Sequence, residues 1–429
     1  RMTTVRPASL LTVTAAVFAV AAGITAPPAA ATETAGSASS ATAESGAGSS
    51  AGSTAAAETS AATQATSATA NSAASETPPA SETTAAPDTV AATATSASGE
   101  TAAAATTEAA PADVATADPI ETEDIARLKG DLNAHDPALV KGANGKPWYV
   151  FSTGDASIGG GAIQIRSSKN GRDWSFAGTV WDKIPGWLTE TVPGATYLWA
   201  PEIYKHDGVY YLYYSASTWG KNNSVIALAT NTTLDPTDPD YNWVDRGKVV
   251  RSMPTSDFNA IDAGIVEDGD GTPWLAFGSY WSGIHMVQLE WPSGLRADTK
   301  KPLRIADRKV APNAVEASYI VPQDGWYYLF TSWGQCCEGA KSDYKIAVGR
   351  SRDVTGPYVD RDGRALLDGG GTILQDTSGD RVGPGGQSVS KNVMAYHYYD
   401  ASADGATKLA LKRIYWGDDG WPELDGDKK

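Results

Sequence analysis

Four carboxylates stand at comparable places along the chain. Asp136 follows Asn133-Ala134-His135, Glu202 follows Trp199-Ala200-Pro201, Asp262 follows Asn259-Ala260-Ile261, and Glu316 follows Val315. Each opens a short run of β-forming residues, yet they lie 54 to 180 residues apart in sequence. If the fold gathers those starts, the carboxylates repel one another and at least one keeps its proton near neutral pH. An acid and a base held side by side in one site is the result. One such residue alone would more simply cap a strand end, but four at equivalent starts are a set. Aromatic residues accompany them: Trp199, Trp219, Tyr280, Trp281 and Trp333. Asn222, Asn223 and Ser279 add hydrogen-bonding groups, each of which taken singly is also an ordinary loop residue. Flat rings beside carboxylates and amides suit a groove for sugar rings, whose apolar faces stack on aromatics.

The elements that must position these groups repeat. Runs rich in Val, Ile, Tyr, Trp and Phe occur at 148–151, 209–214, 274–277, 326–330 and 393–399. Four are preceded by turns of one chemistry: Asn144-Gly145, His206-Asp207-Gly208, Asp268-Gly269-Asp270-Gly271 and Asp324-Gly325. Gly, Asn and Asp supply the positive φ that tight hairpins need. Upstream of each run lies another apolar strand, at 138–140, 203–204, 263–266, 318–321 and 387–389, and downstream a third. No long amphipathic helix interrupts this pattern. One module therefore recurs five times, at roughly 50–70 residues per four-stranded unit, and predicts an all-β, five-bladed β-propeller. A β-sandwich is the alternative, and it does not account for five similar modules. In a propeller the first strand of every blade lines the central axis, where the four carboxylates would converge.

Composition separates this part from the rest. The chain has 429 residues and a formal charge of −16, but no Lys or Arg lies between Pro7 and Ala126, and no aromatic between Ala19 and Pro147. Residues 1–31, with Arg1 and Arg6 before an apolar run from Leu10 to Ala22 and small residues ending at Ala31, read as a secretory signal peptide. Residues 32–126, an Ala/Ser/Thr tract with 13 carboxylates, read as a disordered acidic linker that lacks the large apolar side chains needed to offset chain entropy. Residues 127–429 hold 37 of the 38 aromatics and form the propeller. The expected location is extracellular, without a membrane span once the signal is removed. The folded part lacks a concentrated basic footprint, which argues against a nucleic-acid partner; nothing points to an oligomer, and a monomer is expected. The two cysteines, Cys336 and Cys337, are adjacent. They exclude a disulfide scaffold and a spaced-pair zinc cluster, and leave open a vicinal disulfide or two free thiols.

Several blocks together carry a resemblance: Asn133-Ala134-His135-Asp136-Pro137, Leu198-Trp199-Ala200-Pro201-Glu202, Gly220-Lys221-Asn222-Asn223-Ser224, Asn259-Ala260-Ile261-Asp262, Phe277-Gly278-Ser279-Tyr280-Trp281-Ser282-Gly283, Val315-Glu316-Ala317 and Cys336-Cys337-Glu338-Gly339. In this order they resemble glycoside hydrolase family 43, and within it the endo-acting α-1,5-L-arabinanases. The resemblance runs from about Asn133 to the C-terminus. It implies a five-bladed propeller and an inverting mechanism acting on arabinan, the polysaccharide side chain of pectin. It makes Asp136 the general base, Glu316 the general acid, and Asp262 the carboxylate that orients the acid and raises its pKa. It places substrate contacts at Asn222, at Asn259, Ala260 and Ile261, and at Ser279, Tyr280 and Trp281, and leaves the role of Glu202 open.

One position departs from the family. Its members carry a His after Gly-Pro-Gly in the fifth blade, which coordinates an axial ion, typically calcium with waters. Here the stretch is Gly383-Pro384-Gly385-Gly386, so Gly386 stands where that His is expected. No residue is therefore assigned as a metal ligand, and a weakened calcium dependence is expected. His397, in the following strand, is read as structural. Exo-action on arabinofuranosides or β-xylosides, and a non-catalytic polysaccharide-binding propeller, are the alternative functions; all three carboxylates being present argues against the last.

Overall fold

The structure is a computed structural model, and it describes residues 127–425. The expected signal peptide and acidic linker lie outside the described residues.

Five antiparallel sheets follow one another along the chain. The first holds β1 (Lys129–Gly130), β2 (Ala138–Val140), β3 (Trp148–Ser152), β4 (Gln164–Ser168) and β5 (Asp173–Thr179), with β1 added in parallel to the outer edge of β5. The second is β6 (Trp199–His206), β7 (Val209–Ala216), β8 (Ser224–Asn231) and β9 (Val244–Ser252). A one-turn helix, α1 (Gly186–Thr191), precedes it. The third is β10 (Gly264–Glu267), β11 (Pro273–Phe277) and β12 (Ile284–Glu290), with β13 (Leu295–Arg296) and β14 (Leu303–Ala306) both pairing with β12. The fourth is β15 (Val315–Gln323), β16 (Trp326–Trp333), β17 (Lys345–Ser351) and β18 (Thr372–Gln375). The fifth is β19 (Arg381–Ser390), β20 (Val393–Asp400), β21 (Ala406–Trp416) and β22 (Pro422–Leu424). The first strands, β2, β6, β10, β15 and β19, each pack against the next, and β19 returns to β2. The five modules are thus the blades of a β-propeller.

Side-chain alternation explains why the second strands read as continuous apolar runs. Successive residues of a strand point to opposite faces, and each blade is covered on both. In β7, Leu212 and Tyr214 enter the core shared with the first blade, while Tyr211 and Tyr213 enter the core shared with the third. Five such cores fill the five gaps between blades. The last closes the ring, packing Leu139, Trp148 and Val150 against Val393, Ala395, Leu409 and Leu411. Closure also uses hydrogen bonds: Ser388 Oγ accepts from the Leu139 N–H (3.0 Å), and the Leu132 carbonyl accepts from the Leu409 N–H (2.7 Å). Asn144-Gly145, Asp207-Gly208 and Asp324-Gly325 turn with positive φ at both residues, as their chemistry requires. The fifth hairpin turns through Lys391-Asn392, with Lys391 at φ 56° and no glycine signal.

Candidate active site

Each inner strand is interrupted, or preceded, by a left-handed residue at a comparable place, and the fifth carries a second, Gly383 (φ 59°). The comparable residues are Asp136 (φ 51°), Ala200 (37°), Asp262 (60°), Ala317 (52°) and Gly386 (61°), one per blade. Of these five, only Gly386 adopts that conformation without a Cβ penalty, which for the others is on the order of 1–2 kcal/mol. The strain is offset because each irregular amide finds a side-chain acceptor. Ala200 N–H donates to Thr153 Oγ1 (2.9 Å), Asp262 N–H to Ser215 Oγ (3.2 Å), Gly386 N–H to Ser332 Oγ (3.0 Å) and Asp136 N–H to His397 Nδ1 (3.1 Å). These four acceptors lie in or directly after the second strand of the preceding blade. In the fourth blade the Ala317 N–H donates to Asp262 Oδ2 (3.1 Å) instead.

This register refines the carboxylate set. Asp136 and Asp262 occupy the left-handed position itself, Glu316 lies one residue before it, and Glu202 two after. Asp136, Asp262 and Glu316 all line one cleft of about 830 Å³. Glu202 is 2% exposed and faces a second cavity of about 30 Å³, which Asp136, Asp262 and Gly386 also line, and its Oε1 has no hydrogen-bond partner among the described residues. Burial raises the pKa of Glu202 well above the carboxylate range, against the Ile203 N–H and Tyr319. Glu202 is a buried acid of the axis rather than a member of the cleft.

The three cleft carboxylates are held in opposite electrostatic states. Burial opposes ionisation of Asp136, but His135, His397 and Thr153 outweigh it and hold the carboxyl well below the usual carboxylate range. His135 Nδ1 lies 2.7 Å from Asp136 Oδ2, and Thr153 Oγ1 donates to the same oxygen at 2.6 Å. His397 is fully buried and stacked on His135 with ring centroids 3.8 Å apart. Burial, then the charge of His135, pushes His397 well below its ordinary value, which leaves it neutral with Nδ1 free to accept from Asp136. Asp262 and Glu316 are both raised, first by burial; Asp262 is raised further by Glu316 and Asp136, and Glu316 by Asp136. Two buried carboxyls that interact in this way resist joint ionisation and titrate as a pair. Ser279 Oγ donates to Glu316 Oε2 (2.5 Å) and Tyr344 OH to Oε1 (2.7 Å), and both bonds favour the charged form of that carboxyl.

The remaining expected contacts divide. Asn259, Ile261, Ser279, Tyr280 and Trp281 line the cleft with Tyr197, Trp199 and Trp219. Trp219 and Trp281 are 68% and 40% exposed, broad flat surfaces at the cleft's rim. Asn222 and Ala260 are buried and off the wall; the Asn222 amide nitrogen donates to the Ser256 and Phe258 carbonyls. Asn223 accepts from Arg251, and Trp333 lies under the Arg308 guanidinium. The supporting groups Thr153, Tyr344, Tyr399 and His397 were not legible as functional from the sequence. Thr153, Ser215, Ser332 and His397 do share a signal, a polar residue at or near the end of an apolar second strand.

Gly386 offers no side-chain donor to a metal, although His135, Asp136 and His397 beside it bring two ring nitrogens and a carboxylate oxygen within 4.8 Å of one another. A Cβ there would lie 2.6 Å from Asp136 Oδ1 and 2.7 Å from His397 Nδ1. Gly386→Ala is accordingly expected to destabilise the protein by about 1–3 kcal/mol, from the left-handed backbone and displacement of that pair. Thermal unfolding checks this, and an unchanged Tm would contradict it.

Comparison with known proteins agrees with this arrangement. The model of glycosyl hydrolases family 43 matches residues 130–422. An extracellular endo-α-(1→5)-L-arabinanase of Bacillus subtilis is 39% identical over 294 residues, covering 67% of this chain and 86% of that one. An extracellular exo-α-(1→5)-L-arabinofuranosidase of Cellvibrio japonicus is 37% identical over 311 residues, covering 68% and 87%. The solved structure of a family 43 endo-arabinanase from Bacillus licheniformis superposes with a TM-score of 0.65 at 42% identity, covering 70% of this chain and 99% of that one. With the blades, the gathered carboxylates and the family match in agreement, the chain belongs to glycosyl hydrolases family 43 and is a glycoside hydrolase.

Proposed function

We propose that the enzyme is secreted and cleaves α-1,5-L-arabinofuranosidic bonds inside arabinan by single displacement with inversion. The observation that carries this reading is the opposed electrostatics within one cleft, with Asp136 held ionised and Asp262 and Glu316 both raised. Inversion needs an acid that protonates the leaving oxygen and a base across the sugar that activates water. Asp136, ionised by His135 and Thr153, accepts the proton of that water. Glu316 delivers its proton to the leaving oxygen, and Ser279 and Tyr344 stabilise the carboxylate left behind. Asp262, coupled to Glu316, keeps a proton on the pair near neutral pH and accepts the Ala317 N–H, which fixes the backbone next to the acid. Trp199, Trp219, Tyr280 and Trp281 offer stacking surfaces for the sugars.

Relatives named for endo and for exo action stand at nearly the same identity, so product size decides between them. Linear arabinan is expected to yield a ladder of oligosaccharides at early times; monosaccharide alone would establish exo-action. Residues 383–386 do not fit the family's calcium ion, for want of a side-chain ligand at 386. Chelation is therefore expected to change kcat by less than about twofold. Loss of activity restored by micromolar calcium would overturn that expectation.

A further inference from the structure

The structure joins Cys336 and Cys337 as a vicinal disulfide on the cleft wall. Cys337 is exposed and sits in the left-handed region at φ 70°, a backbone state that a freed β-carbon residue leaves readily. In this state its N–H donates to the hydroxyl of Tyr399 at 2.8 Å. That hydroxyl lies 2.9 Å from His135 Nε2 and 3.4 Å from His397 Nε2. Both imidazoles reach Asp136 through their other nitrogen, His135 at the carboxylate and His397 at the backbone N–H. Tyr399 is therefore the single group that ties the outer nitrogens of both rings, and the disulfide-held amide ties Tyr399. A ring nitrogen engaged in this way fixes which nitrogen faces the partner on the other side. With Nε2 on Tyr399, His135 presents Nδ1–H to Asp136 whether the ring is neutral or charged.

We infer that Tyr399 and the Cys336–Cys337 disulfide form a positioning unit for the Asp136 base, so that the oxidation state of the cysteine pair sets the turnover rate. The inference rests on Asp136 being the base. A dithiol such as dithiothreitol supplies the reverse step by thiol–disulfide exchange. The S–S bond breaks, the two cysteine sulfurs gain two electrons and two protons as thiols, and the dithiol closes to its cyclic disulfide. Residue 337 then relaxes and its N–H leaves Tyr399. Loss of one hydrogen bond in such a relay corresponds to roughly a three- to tenfold change in rate.

The test compares wild type and Tyr399→Phe, each oxidised and reduced, with thiol titration confirming two free thiols per reduced chain. Cys336→Ala/Cys337→Ala serves as a permanently open form should reduction be incomplete, and Asp136→Asn reports on the base itself. In wild type, reduction is expected to lower kcat on linear arabinan three- to tenfold with KM within twofold. Tyr399→Phe is expected to show a similar loss when oxidised and no further loss when reduced. An unchanged kcat in both the reduced enzyme and the double-alanine variant sinks the inference while leaving the base assignment intact. Equal loss on reduction in wild type and in Tyr399→Phe shows that Tyr399 carries no coupling and also overturns it. A rise in KM alone makes the disulfide a substrate surface instead, with the same consequence. If Asp136→Asn keeps the wild-type rate, the base assignment falls, and this inference with it.

Discussion

Asp136→Asn lowers kcat on linear arabinan by roughly 10²–10⁴-fold, the range expected when a general base is removed from a hydrolysis. The substitution preserves shape, and the Asn side-chain oxygen still accepts from Thr153, but an amide cannot take up the proton of the attacking water. His135 loses the main partner that holds its pKa up, leaving only the weaker pull of Glu316 against burial. Folding is expected to survive, since the five inter-blade cores lie away from this carboxyl. Initial rates and a thermal melt on the same preparation check both parts. A kcat within threefold of wild type, in a folded variant, removes Asp136 from the mechanism.

The second large effect belongs to Glu316. Glu316→Gln is expected to lose a comparable 10²–10⁴-fold on arabinan, whose alkoxide leaving group needs protonation, and far less on an aryl arabinofuranoside, whose phenolate departs unaided. The pH profile follows from the same geometry. Glu316 works only while protonated, and burial has raised its pKa, so the rate falls as pH rises through that raised value. Asp136 works only while ionised, and His135, His397 and Thr153 hold it low, so the acid side stays flat until well below the usual carboxylate range. The basic limb should disappear for the variant acting on the aryl substrate. Equal losses on both substrates would show that Glu316 is not the proton donor.

The geometry also explains why the acid is not simply ionised by its neighbours. Ser279 and Tyr344 favour the charged form, and alone they would make Glu316 a poor acid. Burial outweighs them, with the Asp136 charge acting in the same direction, so the Glu316 carboxyl stays raised. In the proposed mechanism the two hydroxyls act at the end of proton transfer, where the charge appears, and not before it.

Much of this was legible in the chain. The five blades follow from hairpin chemistry at Asn144-Gly145, Asp207-Gly208 and Asp324-Gly325 and from apolar second strands, because turn conformation and two-sided burial are local properties of residue type. The fifth turn, Lys391-Asn392, carries no such residue and was inferred only from the strands around it. Asp136, Asp262 and Glu316 are the working set that motif and repeat propose, and the fold brings all three to one cleft.

Glu202 shows where that reading stops. It begins its module just as Asp136 and Asp262 begin theirs, but lies two residues past the left-handed position and so faces the smaller cavity. Side-chain direction reverses with each residue of a strand, and one irregularity shifts the count, so repeat position alone does not reveal which wall a residue serves. The same holds for Asn222, whose amide is spent on backbone carbonyls, and for Cys336 and Cys337, whose pairing adjacency alone left open.

What the sequence by itself determined was the number of blades, the existence of a carboxylate set and the missing side chain at 386, since each is written in residue types and their spacing. What only the tertiary structure decided was the protonation logic of the set. Whether a carboxyl is an acid or a base depends on the burial around it and on partners such as His397 and Tyr399, 261 and 263 positions from Asp136 in the chain. Those partners reach Asp136 only because the fifth blade closes against the first.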